Sequence, residues 1–235
     1  QDGWTMNHRT LRGKLGYFHN QHGETGREWF TVTVAPDGGR TLRAQCEMDD
    51  DSVLRDVTYT VDAAWRPLDC FIRLARHDRF VGSSWFRFAD RRVECEGYTA
   101  LEGRVSQRVE LPAPAVRFGT HSLLTDGWHA ALWQANGPAV QTIAHQPASS
   151  HAANGATGPM IVVGDSTLKR IGLESLRVAA GEFMTAHFEI LFVNFPRLHF
   201  WVMGPDVQLV RMEWQHLDAY YELLEDEEMA CATST

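Results

Sequence analysis

The residues best equipped for chemistry fall in one short stretch, His121-Ser-Leu-Leu-Thr-Asp-Gly-Trp-His129. At helical spacing His121, Thr125, Trp128 and His129 lie near one face, with Asp126 about 60° away. An imidazole titrates near neutrality, and a neighbouring carboxylate orients it and raises its pKa. That is equipment for general acid–base work, and it predicts His129 or His121 as base with Asp126 as the orienting partner. The alternative is a partly exposed helix in which Trp128 packs and both histidines bond to backbone. Two His and one Asp so spaced on one helix cannot converge on a single ion, so the stretch predicts no metal site.

Two further groups of polar residues sit on strand-like patterns. Thr185, His187 and Glu189 share one parity, with Ala186, Phe188 and Ile190 on the other. His199, Trp201, Arg211 and Glu213 follow on neighbouring strands. A barrel enclosing a partly polar lumen would turn such a face inward; a sheet with one wet face would turn it to water. In the N-terminal half, Asp56, Asp69, Arg73, Arg87, Glu94, Glu96 and Arg104 read as a salt-bridged outer face. If that face is the lumen, Arg73 or Arg87 could anchor a carboxylate or phenolate by forked hydrogen bonds. Trp85, Trp128 and Trp201 are candidates for an aromatic wall. With His187, Arg73 and Arg87 they form the expected substrate-binding set. His145, His151 and Asn154 belong to a polar loop that is either a lid or a linker.

The elements that must position these groups are mostly strands. Between about Gly13 and Leu111 the chain reads strand, turn, strand without a helix. Asn20-Gln-His-Gly23 and Ala35-Pro-Asp-Gly-Gly39 supply turn chemistry, and period-two alternation recurs through many short segments. Leu124, Trp128, Ala131 and Leu132 recur at helical spacing, and Thr120 or Ser122 can cap the start. This predicts one central helix over 121–133 as plug or lid. A long loop is expected at about 146–158. Strands return in the last third, and an acidic tail over about 222–235 is expected to be solvated and frayed. The fold class is therefore mostly β, a single domain over 1–235, with an antiparallel, strongly curled sheet or barrel.

One series carries a resemblance. Ser175-Leu-Arg-Val-Ala-Ala-Gly-Glu-Phe183, His187, Phe200-Trp-Val202, Leu209-Val-Arg211 and Tyr220-Tyr-Glu-Leu223 resemble the C-terminal part of lipocalin-like or half-barrel curled-sheet bacterial proteins of unassigned function. The resemblance spans about a quarter of the chain. It implies architecture and assigns no catalytic residue.

Composition narrows the role. The 235 residues carry a formal charge of −8 and no basic stripe, which argues against nucleic acid and anionic membranes as partners. No apolar stretch reaches the length of a membrane-spanning helix. Cys46, Cys70, Cys95 and Cys231 show no CxxC spacing. Three of them lie in alternating apolar runs, as buried thiols do. The reading is a cytoplasmic protein, with export after removal of a signal peptide as the alternative, since the sequence opens on Gln1. No nucleotide, P-loop, zincin, hydrolase-elbow or calcium motif occurs, and nothing calls for a cofactor.

Two functions remain in view. One is a cofactor-independent lyase, isomerase or cyclase working by His/Asp acid–base chemistry on a hydrophobic, aromatic small molecule. The other is a non-catalytic carrier or sensor of an apolar ligand in a β-barrel pocket. An enzyme needs at least two convergent titratable groups, whereas a carrier needs apolar walls and few polar anchors. Exposed strand edges would let copies pair as a homodimer.

Overall fold

The computed structural model describes residues 7–192 and 195–230. Alternation of side chains sets the strands. In Val53–Val61, Val53, Val57, Tyr59 and Val61 are buried while Leu54 and Asp56 face water. In Arg40–Met48, Leu42, Ala44 and Cys46 turn inward between exposed Arg43 and Gln45. β-branched and aromatic residues suit such a half-buried pleated surface.

The strands are β1 (Arg9–His19), β2 (Gly23–Val34), β3 (Arg40–Met48), β4 (Val53–Val61), β5 (Pro67–Arg76), β6 (Arg79–Ala89) and β7 (Arg92–Thr99). They continue with β8 (Gly103–Glu110), β9 (Gln141–Ala148), β10 (Val162–Val178), β11 (Gly181–Phe192), β12 (Leu198–Met203), β13 (Gln208–Trp214) and β14 (Ala219–Ala230). All belong to one antiparallel sheet in the order β8-β7-β6-β5-β4-β3-β2-β1-β14-β13-β12-β11-β10-β9. Two meanders thus run outward from a central seam between β1 and β14, and β8 and β9 are free edges. The curled sheet is not closed into a barrel.

The seam corrects one expectation. The acidic segment from Glu222 is not a frayed tail: Arg9 to His19 pair with Ala230 to Ala219 across one bulge. Its inward side chain, Leu223, is fully buried. Its carboxylates turn outward, where Glu228 binds Arg9 at 2.7 Å and Glu222 binds Arg211 at 3.0 Å. Cations on the two flanking strands, Arg9 on β1 and Arg211 on β13, therefore offset the charge run that suggested solvation. Residues 231–235 of the expected tail, with Cys231, lie outside the described residues.

The chain leaves edge β8 and crosses the concave side before starting edge β9. This crossing carries α1 (Leu123–Gly127) and a tight 3-10 turn, Trp128–Leu132. The expected 121–133 helix is thus a single short turn followed by a tighter one, because consecutive bulky residues pack against different walls. Phe118 lies against Phe86 and Phe88, Trp128 against Tyr59 and Trp65, and His129 against Phe192 and Phe200. The crossing is the aromatic filling of the curl, as a plug.

Ahead of α1 the crossing ties to edge β9 by Gly119 N–H to Pro147 O and Ser149 N–H to Gly119 O, both 2.9 Å. The expected loop starts later than predicted, since β9 runs to Ala148. Residues 149–161 then form a strap across the inner faces of β4 to β8. Arg55 donates to Gly155 O at 2.6 Å, Ser84 donates to Pro159 O at 2.7 Å, and Gln107 accepts from Ile161 N–H at 2.7 Å. Cys46, Cys70 and Cys95 are buried and unbridged. Among the described residues, no helix is long and apolar enough to cross a membrane.

Candidate functional site

Between plug, strap and seam the curl leaves a cavity of about 590 Å³, open on one side. Its wall is largely apolar and aromatic, with Tyr17 and Tyr221 from the seam, Leu198, Met212 and Trp214 from β12 and β13, and Phe192 from β11. Tyr17 and Tyr221 meet edge to face at 5.3 Å between centroids, a favoured aromatic arrangement. Arg117, His121 and Asp126 enter from the plug, His151 and Asn154 from the strap, and Asp50 and Asp51 from the β3–β4 turn.

The polar groups of the plug are held by a buried acid that breaks the apolar alternation of its strand. Glu28 shares the inward parity of Phe30, Val32 and Val34 and is fully buried. Its carboxylate accepts from Ser122 Oγ at 2.7 Å, from Leu123 N at 2.7 Å and from Leu124 N at 3.1 Å. Cys46 Sγ and Tyr17 Oη add donors at 3.3 and 3.2 Å. The first N–H groups of a helix have no partner within it, and here a strand carboxylate from across the core supplies one. Ser122 therefore does not cap with its own oxygen, as the sequence suggests. Burial raises the Glu28 pKa, and the hydrogen bonds from Ser122, Leu124 and Leu123 hold it back.

Arg117 and Asp126 form an ion pair at 3.1 Å. Burial raises Asp126 to about 6 against the pull of Arg117. Burial also lowers Arg117 to about 10, opposed by Asp126. His121 takes a left-handed backbone at φ 60°, and its Nδ1 lies 3.2 Å from Ala153 O on the strap. Burial first, and then Arg55, bring its pKa down to about 3, so this ring is neutral at physiological pH.

The predicted site residues scatter. His121 and Asp126 share the cavity wall. His129 does not: it is 1% exposed, its Nδ1 bonds Asp126 O at 2.8 Å, and burial drives its pKa well below the usual imidazole range. Trp128 is buried on the far side of the plug, away from the cavity.

The rest of the expected binding set lies outside, a correction that follows from parity. Cys70, Ile72 and Leu74 take the inner positions of β5, so Arg73 faces water beside Asp56 at 4.0 Å. Trp85 and Arg87 are likewise exposed, on either side of buried Phe86. His187 and Trp201 stack at 4.2 Å on the outer face behind Phe188 and Phe200. There Glu174 Oε1 lies 3.0 Å from His187 Nδ1 and accepts from Trp201 Nε1 at 2.7 Å. Among the described residues, no three His, Cys, Asp or Glu are placed to hold a metal ion.

Sequence reasoning missed Glu28, Arg55 and Arg117. The first two had a signal: each is a charge on the apolar parity of its strand. Arg117, in the irregular crossing, had none.

No protein-family model matches the chain, and no curated protein does. Among solved structures, the chain is similar to a β-barrel-like protein of the domain of unknown function DUF1849 from Brucella abortus. The two share 12% identity over 95% of this chain and 98% of that one, with a TM-score of 0.55. A candidate exported protein with a YmcC-like fold from Bacteroides fragilis aligns at 10% identity over 95% and 96% of the chains, with a TM-score of 0.30. A candidate lipoprotein from Parabacteroides distasonis aligns at 11% over 95% and 96%, with a TM-score of 0.32. The first likeness establishes the fold: this chain is a β-barrel-like, curled-sheet protein.

Proposed function

We propose that the chain binds an amphipathic small molecule in its cavity, as a carrier or sensor. The observation that carries this reading is the wall itself, about 590 Å³ of concave space whose surface is mainly apolar, from rings and aliphatic chains, with polar and charged side chains interspersed. That size and lining match small-molecule sites. A wall built from Tyr17, Tyr221, Trp214 and Phe192 suits an aromatic or flat apolar body.

A cofactor-independent lyase or isomerase is the second reading. Asp126 supports it: a carboxyl at about 6 on the cavity wall is poised to exchange a proton near neutrality. Against it, His121 is neutral with one nitrogen occupied, and His129 packs inside the plug. The cytoplasmic assignment belongs to the same proposal and rests on three buried, unbridged thiols. So does a homodimer built through edges β8 and β9.

The test is titration with N-phenyl-1-naphthylamine, a neutral aromatic dye that fluoresces in apolar surroundings. One saturable site per chain is expected. Val163→Trp and Ala153→Trp, exposed positions at the cavity rim, should weaken it about tenfold or more, roughly 1.4 kcal/mol. A signal that never saturates, or that ignores both rim variants, sinks the reading.

A further inference from the structure

We infer that the ligand this cavity takes is an organic cation, an ammonium group on an apolar body. The charge would sit among Asp50, Asp51 and Tyr221, and the body would lie along Trp214 and Leu198. The inference rests on the binding reading above and adds the sign of the ligand's charge.

The wall carries four carboxylates, Asp50, Asp51, Asp126 and Asp165, and one guanidinium, Arg117. Arg117 is already neutralised by Asp126 at 3.1 Å. Among the described residues, the other three carboxylates are held only by neutral donors, one oxygen each. Asp50 accepts from Asp51 N–H at 3.0 Å, Asp51 from Asn154 Nδ2 at 2.6 Å, and Asp165 from His145 N–H at 2.7 Å. Arg76, near the same turn, reaches the backbone oxygen of Asp51 rather than its carboxylate. Their charge is therefore left for whatever enters.

Asp50 and Asp51 line the same cavity as the rings of Tyr17, Tyr221 and Trp214. The Tyr221 phenol is raised to about 12 by burial, then by Asp50, Asp126 and Asp51, three carboxylates from two separate parts of the chain. Tyr17 stands edge to face against the same ring. Carboxylates beside ring faces recognise an ammonium twice, by charge and by the ring quadrupole.

Among the described residues, an anion finds no equivalent place. The free Nε and Nη1 of Arg117 are buried without a partner and out of solvent reach. To use the outward nitrogen, an anion would have to displace Asp126 while facing three uncompensated carboxylates. Like charges so placed select against it.

The experiment displaces N-phenyl-1-naphthylamine from the full chain at neutral pH. Competitors share one tail: dodecylamine, dodecyltrimethylammonium, dodecanol and dodecanoate, each below its micelle concentration. Both ammonium compounds should displace the dye at concentrations about tenfold lower than dodecanol, with dodecanoate weakest. In Asp50→Asn/Asp51→Asn the advantage of the amines over dodecanol, taken as a ratio within the variant so that any change in dye affinity cancels, should shrink to about threefold or less.

If dodecanol or dodecanoate competes as well as the amines, or the double variant keeps the full preference, the inference is overturned while the binding reading stands. If the dye finds no saturable site, the binding reading falls first and takes the inference with it.

Discussion

Glu28 on β2 accepts a hydrogen bond from the Ser122 hydroxyl at 2.7 Å, across 94 residues of chain. This one carboxylate fixes the start of α1 and so the position of His121 and Asp126 on the cavity wall. Removing it leaves buried donors without an acceptor, which costs more than the bond itself contributes. Glu28→Ala should lose about 3–5 kcal/mol in urea denaturation, and Glu28→Gln should lose less, since one amide oxygen still accepts. Equal stability for Glu28→Ala and the parent chain would show that the plug is held by packing alone.

His129 separates a structural imidazole from a catalytic one. Packed between Phe192 and Phe200, it should behave as a core side chain, and His129→Ala should cost about 2–4 kcal/mol. Its folded pKa lies below the usual 6.5. As pH falls through about 6.5, the unfolded chain takes up a proton that the folded chain refuses, and stability drops by up to about 1.4 kcal/mol per pH unit. His129→Leu should remove that one-proton slope from the stability profile between about pH 5 and pH 6.5. A variant with unchanged stability and unchanged slope would return this residue to the list of candidate bases.

Asp126 should give the opposite slope. Its carboxyl is about 3.8 unfolded and about 6 folded, so between these values the folded chain holds a proton that the unfolded chain has released. Stability therefore declines as pH rises from about 4 to about 6, by about 1.4 kcal/mol per unit at most. Asp126→Asn should lack this decline, and calorimetry at three pH values across the window would detect the difference.

The seam predicts intolerance to truncation. Stopping the chain after Tyr221 removes most of the partner of β1, including the fully buried Leu223. Such a chain should lose its cooperative thermal transition. A solvated tail would have been dispensable, so a truncated chain with an unchanged melting point would restore the earlier expectation for this segment.

The outer face supplies the control. Arg73→Ala, Arg87→Ala and Trp85→Ala remove exposed side chains, and Arg73 contributes a distant surface pair with Asp56 and an exposed cation–π contact with Phe80. Each should shift stability by about 0.5 kcal/mol or less and leave dye binding unchanged. A marked loss of binding in any of them would move the site to the convex side.

Much of the sheet was legible because alternation is a local property. Leu42, Ala44 and Cys46 declare their face within one strand. The same rule holds a signal for Glu28 and Arg55, charges out of step with their strands, that went unread, and the reason for each lies in segments about a hundred residues away, Ser122 for one and Gly155 for the other. Which parity of β5 or β11 faces inward was not legible, because a curled sheet can turn either side to its hollow. The placements of Arg73, Arg87, His187 and Trp201 turned on that choice. The short α1 escaped for a related reason: helical spacing continues past Gly127, but Trp128 and His129 are drawn to opposite walls.

Because β1 pairs with β14, the middle of the sheet joins residues as far apart as Arg9 and Glu228, 219 positions along the chain. Each flanking meander forms from sequence neighbours and can assemble quickly, whereas the join must await closure of a very long loop. During synthesis the first eight strands emerge well before the partner of β1 exists. Until β14 is made, β1 is an unprotected edge with Leu11, Leu15 and Tyr17 unburied, and a nascent chain in that state is open to mispairing with its neighbours.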